Sequence, residues 1–196
     1  MDEAHGLEAA SVWVQRWSHL VPDGAALLDV ACGAGRHVRW FAARGCRVTG
    51  VDRDAAAVEA LRSIAEIEVA DIENGPWPWP GRTFDAVVVT KYLWHPLLPL
   101  LVESVAPGGT LIYETFVQGN ETVGRPTNPE FLLRPGELLD VVRPALRVVA
   151  YEDGFVDAPA HFVQRVVAVR ERLEFDPARP ERYLLGNPGM GAGPHG

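Results

Sequence analysis

The stretch from Leu27 to His37, LLDVACGAGRH, joins an apolar run to a carboxylate at Asp29, a small residue at Ala31 and two glycines, Gly33 and Gly35, one residue apart. Glycine has no Cβ, so such a turn lets main chain approach a bound molecule and adopt angles that other residues resist. Turns of this kind after a first strand are shared by several nucleotide-binding folds, and spacing separates them. A phosphate-binding loop requires GxxxxGK[ST], and the single lysine of the chain, Lys91, is far from the turn. A dinucleotide fingerprint GxGxxG requires a third glycine at position 38, where Val38 stands. Both phosphate readings lose weight, and an NAD-dependent oxidoreductase with them.

A second carboxylate, Asp52, lies in VTGVDRD with Arg53 beside it. An acidic group at the end of a second strand accepts hydrogen bonds from ribose hydroxyls, in dinucleotide proteins as elsewhere. Each carboxylate also has a plainer use. Asp29 suits the N-terminus of the following helix, and Asp52 suits the cap of the helix near Asp54, for which Asp54 is the better candidate.

The elements that must carry these residues alternate. Glu8 to Leu20 shows the three-and-four spacing of an amphipathic helix, ended by Pro22, Asp23 and Gly24. Strands are predicted over 26–31, 47–52, 67–72, 85–90 and 110–116, with helices over 35–44, 54–65 and 95–105 between them; this alternation predicts a parallel sheet covered on both faces. NGPWPWPGRTF (74–84) is a turn-rich loop, and 118–129 is an irregular polar segment of a length that often serves function. A short helix at 136–142 precedes two β-rich runs, 147–156 and 161–172, able to pair as a hairpin. The sequence shows no internal repeat, and the Gly- and Pro-rich tail 186–196 is expected to be disordered.

The chain has 196 residues, 18 basic against 26 acidic, and a net charge of -8. That length fits one domain, taken as 1–185. The acidic balance disfavours a nucleic-acid partner. No apolar run approaches the ~20 residues of a membrane helix, and MDEAHGLEAA lacks the regions of a signal peptide, so a cytoplasmic protein off the membrane is expected. Cys32 and Cys46 lack metal-ligand spacing; free thiols and no metal are expected.

Asp29-Val-Ala31-Cys-Gly33-Ala-Gly35 resembles the acidic-x-Gly-x-Gly-x-Gly signature of class I S-adenosylmethionine-dependent methyltransferases, with Ala31 in the first glycine slot. VTGVDRD, ADIE, FDAVVVTKYLW and VAPGGTLIYE are similar to later segments of that family, and KYLWHPLLP, LIYETFVQGNE and GRPTNPEFLLRPGEL to its bacterial tellurite-resistance-type subgroup. The resemblance spans roughly residues 8 to 172. It implies an α/β, doubly wound, mostly parallel seven-stranded sheet with an antiparallel C-terminal strand. It also implies S-adenosylmethionine as cofactor, with Asp29, Ala31, Gly33 and Gly35 along the methionine part, Asp52 and Arg53 at the ribose, Asp71 and Ile72 at the adenine, and Thr90 facing the methyl-transfer region.

Lys91, His95 and Glu114, after the fourth and fifth strands, are the candidate acceptor-site residues, with His161 a further candidate for proton removal. Asn120, Glu121, Arg125 and Arg165 either line the acceptor or lie on the surface; Trp13, Trp17, Trp77 and Trp79 are core or covering aromatics. The implied function is methyl transfer to a small molecule. A protein methyltransferase and a non-catalytic S-adenosylmethionine sensor are the alternatives.

Overall fold

The computed structural model describes residues 8–172 and 180–185. The expected disorder of 186–196 lies outside them. Seven strands form one sheet: β1 (Ala26–Val30), β2 (Arg47–Asp52), β3 (Glu66–Val69), β4 (Phe84–Thr90), β5 (Val105–Phe116), β6 (Arg147–Val156) and β7 (His161–Val169). Their order is β3-β2-β1-β4-β5-β7-β6. β1 to β5 pair in parallel, and β7 runs antiparallel to both β5 and β6. This is the doubly wound, mostly parallel sheet expected from the alternation. The chain leaves β3 at one edge and re-enters beside β1 as β4, so strand order reverses between β1 and β4, where open α/β sheets bind ligands.

The β1 and β4 sequences read as continuous apolar runs because both of their faces are covered. Trp13, Val14 and Trp17 of α1 (Val12–Trp17), Val38 and Phe41 of α2 (Arg36–Ala42), and Val58 of α3 (Ala55–Val58) with neighbouring Leu61 cover one face. Leu98, Leu101 and Val102 of α4 (Leu98–Glu103) and Leu138 and Val142 of α5 (Glu137–Val142) cover the other. The link from β3 to β4 carries no helix; instead Trp79 is buried there, edge-on to Trp77 at 5.4 Å and to Phe84 at 5.9 Å. Two aromatic rings bury the area a helix face would otherwise supply, so Trp77 and Trp79 cover the sheet, and Trp13 and Trp17 are core.

Several boundaries differ from expectation. The first helix starts at Val12, because Ser11 accepts the Val14 N–H at 3.0 Å and caps it there. The 54–65 helix shortens to α3 and a 3-10 turn, Glu59–Leu61. β3 begins and ends early, at 66–69. β5 starts at Val105, with a register break between its Val105 and Thr110 pairings to β4. The 118–129 segment holds a 3-10 turn, and buried Asn120 ties it to the hairpin: Asn120 Oδ1 accepts the Phe162 N–H at 3.1 Å and Nδ2 donates to the Arg125 carbonyl at 3.0 Å.

Gly35, with φ +81°, opens α2, and a Cβ there would collide with the side chain of Leu61. Gly33 has φ +52° and open space around an added Cβ. Gly35→Ala is therefore expected to lower stability by about 1–3 kcal/mol through strain and overpacking together. Gly33→Ala has only the left-handed backbone to pay for and should lose about 1 kcal/mol. Urea midpoints of the two variants check the order.

Candidate functional site

The turn after β1 is held from both sides. Cys32 donates its N–H to the Val51 carbonyl at 2.9 Å, and Gly35 to the Cys32 carbonyl at 2.9 Å. Gly33 donates to Asp52 Oδ2 at 2.8 Å, while Asp52 Oδ1 accepts the Asp54 N–H at 3.0 Å. Asp54, not Asp52, caps α3, accepting from Ala56 and Ala57. Ala31, in the slot where glycine would sit freely, is held at φ +53°, and Lys91 at the end of neighbouring β4 has the same φ. Left-handed non-glycine residues at the ends of adjacent strands mark backbone strained by its surroundings, which clusters at functional sites.

A cleft of about 260 Å³ opens at these strand ends, lined by Ala31, Asp52, Arg53, Asp71, Ile72 and Tyr92 among others. Asp71 is exposed there, and its oxygens accept from the N–H groups of Glu73 and Asn74 and from Asn74 Nδ2. These bonds, with the Asn74 side chain first among them, hold its carboxyl below the usual range. Beneath the turn lies Asp29, 1 % exposed, with Oδ2 free of any hydrogen bond. Burial pushes its carboxyl up to about 7, against the pull of the Arg36 guanidinium. Cys32 and Cys46 are free, as expected; burial raises the Cys32 thiol well above its ordinary value, which leaves it a packing residue.

A second cleft, of about 240 Å³, is lined by Arg36, Lys91, Glu114, His161 and Arg165 among others, and Lys91 is followed in the chain by Tyr92 of the first. Lys91 donates its N–H to the Glu114 carbonyl at 3.0 Å. The Glu114 carboxylate accepts from Arg165 at 3.1 Å, and Arg165 also meets Glu152 at 3.1 Å. Register explains the row: Glu114 and Glu152 both stand opposite Arg165 across the β5–β7–β6 ladder. His95 is not brought to either cleft. It sits on the other face of the sheet, 3.3 Å from Glu137, in a groove between α4 and α5. Glu121 accepts the Gly119 N–H, and neither it nor exposed Arg125 lines either cleft.

Arg36 and His37 carry site roles that sequence reasoning did not assign, although both stand directly after Gly35. Burial holds the His37 ring down to about 3, with Arg36 and Lys91 adding repulsion, so it is neutral. Its Nε2 accepts the Ser11 N–H at 3.2 Å. A neutral imidazole then bears its proton on Nδ1, 3.4 Å from Thr90 Oγ1, which also lies 3.4 Å from Arg36 Nη2. Thr90 thus accepts from two donors and keeps its own O–H to donate.

An orphaned oxygen of Asp29 under a glycine turn, with the Asp52 and Asp71 carboxylates lining the cleft after β2 and β3, suits a ligand bearing an ammonium group and ribose hydroxyls and lacking phosphate. The sheet order and the strand-end cleft are those of a Rossmann-like fold. Residues 27–109 match the family model described as a methyltransferase domain. Ribosomal protein L11 methyltransferase of Burkholderia mallei is 39% identical over 98 residues, 46% of this chain and 32% of that protein. Trans-aconitate 2-methyltransferase of Paracidovorax citrulli is 38% identical over 104 residues, 46% of this chain and 39% of its own length. The matched region is thus under two fifths of each of these two relatives. A TehB-like S-adenosylmethionine-dependent methyltransferase from Corynebacterium glutamicum has the same fold, with TM-score 0.58, 20% identity, and coverage of 79% of this chain and 84% of that one.

The buried Asp29 carboxyl gives a pH signature. Its folded value, about 7, lies above its ordinary 3.8. As pH rises from about 4 to 7 the unfolded chain ionises first, so this group withdraws stability from the folded state across that window. Asp29→Asn removes the titration. Melting temperatures at pH 4.5 to 8 should show the variant gaining on the native protein as pH rises; parallel curves would refute the assignment.

Proposed function

We propose that this protein transfers the methyl group of S-adenosylmethionine to a small acceptor, with residues 1–185 forming one catalytic domain. The observation that carries the reading is the pair of clefts at the strand ends, the second lined by Lys91 and the first by Tyr92, the next residue along the chain. The first suits adenosine: Asp52 and Arg53 for the ribose, Asp71 and Ile72 for the adenine. Ala31, Gly33 and Gly35 bring bare main chain to the methionine part, and Asp29 answers its ammonium. The second cleft then receives the acceptor.

The cofactor supplies an activated methyl on a cationic sulfur, displaced in line. What the protein contributes is alignment and exclusion of water, and alignment alone reaches effective molarities of ~10^5 M or more. Lys91 and Glu114 remain acceptor-site residues in this reading, Glu114 as the anchor of Arg165. Proton removal falls to His161 in preference to His95 or Glu114. His161 Nδ1 is 2.6 Å from the Pro159 carbonyl, which can only accept, so Nδ1 carries the proton and Nε2 is left to take one.

Calorimetry with S-adenosylmethionine, S-adenosylhomocysteine and NAD tests the cofactor. The first two are expected to bind and NAD to fail; binding of NAD alone overturns the reading. Asp52→Ala should weaken S-adenosylhomocysteine about tenfold or more, since a bidentate carboxylate partner is lost together with the Gly33 clamp. Transfer of labelled methyl into a small-metabolite extract tests the acceptor class, and label confined to protein would point to a macromolecular acceptor instead.

A further inference from the structure

The second cleft has apolar walls, from Val12, Phe116, Val156, Pro159 and Val163, and three cations, Arg36, Lys91 and Arg165. Two of the cations are answered. Arg165 is taken by Glu114 and Glu152, at 3.1 Å each. Arg36 lies 3.2 Å from Glu8 and acts on the buried Asp29 carboxyl. Lys91 has no carboxylate within ion-pair distance among the described residues. Its main chain is fixed nonetheless, held at φ +53° by the bond to the Glu114 carbonyl, so the ammonium group springs from a rigid base.

We infer that Lys91 is the specificity residue of this cleft and that the acceptor is a small organic carboxylate with an apolar body. The inference rests on the methyltransferase reading above. An apolar wall favours hydrocarbon, and a charge entering such a space is tolerated only when paired. One ammonium unanswered among the described residues matches a monoanion. A phosphate monoester would bring a second charge with no partner, and an ammonium-bearing acceptor would meet repulsion. At about 240 Å³ the space falls below the usual range for drug-sized ligands, ~300–1,000 Å³, which restricts the body to about one ring or a short chain.

The test uses the whole protein saturated with S-adenosylhomocysteine and titrates benzoate, phenylacetate and cinnamate against their primary amides and phenyl phosphate. At least one carboxylate is expected to bind about tenfold or more tighter than its amide, the preference a single charge-assisted contact produces. Lys91→Met should remove that preference and Lys91→Arg should keep it, with S-adenosylhomocysteine affinity unchanged in both. Carboxylates that bind no better than amides, phenyl phosphate that binds more tightly than all three, or a preference that survives Lys91→Met overturns the inference. Failure of S-adenosylhomocysteine to bind the native protein overturns the function beneath it; its binding without carboxylate selection overturns the carboxylate alone.

Discussion

The hydrogen bond from the Gly33 N–H to Asp52 Oδ2 at 2.8 Å, with the one from the Cys32 N–H to the Val51 carbonyl, ties the turn after β1 to the end of β2. Gly33 has no side chain to wedge it in place, so without an outside acceptor its part of the turn would take many shapes. Asp52 supplies that acceptor and with its other oxygen holds the Asp54 N–H, so one carboxylate sets two loops at once. Its remaining lone pairs face the cleft it lines. The same group therefore shapes the cleft and supplies its polar contact.

Strain concentrates at two residues that line the clefts, Ala31 in the first and Lys91 in the second. Ala31 and Lys91 are the non-glycine residues with positive φ among those described, and they end the adjacent strands β1 and β4. Neither sequence neighbourhood asks for that conformation. It is imposed by bonds from elsewhere: Cys32 to Val51 beside the first, Lys91 itself to Glu114 for the second. Strain of this kind persists only where surrounding structure over-determines it, and here the central strands, buried on both faces, do so.

Charge is distributed unevenly for an acidic chain. The net charge is -8, yet the second cleft gathers Arg36, Lys91 and Arg165. On the first-cleft side stand Asp29, Asp52 and Asp71.

Much of this was legible in the sequence. Apolar runs separated by amphipathic stretches predicted the strands, since parallel strands buried on both faces admit little else. Gly33, Gly35 and Asp52 stood out because close approach and hydrogen bonding to a ligand suit those residue types at strand ends, and Asp71 through the family resemblance. The sequence could not say which way a side chain finishes. His95 lies a few residues past β4 yet turns to Glu137 on the far face, because the chain crosses the sheet there. Glu114 read as an acceptor-site carboxylate, and only cross-strand register set it against Arg165. His37 read as a helix residue until burial made it neutral and packing set it between Ser11 and Thr90. Pattern along the chain determined the elements and the glycine turn that lies at the first cleft, because periodicity and glycine chemistry are local; pairing, burial and protonation were decided only by the tertiary structure, because each depends on residues distant in sequence.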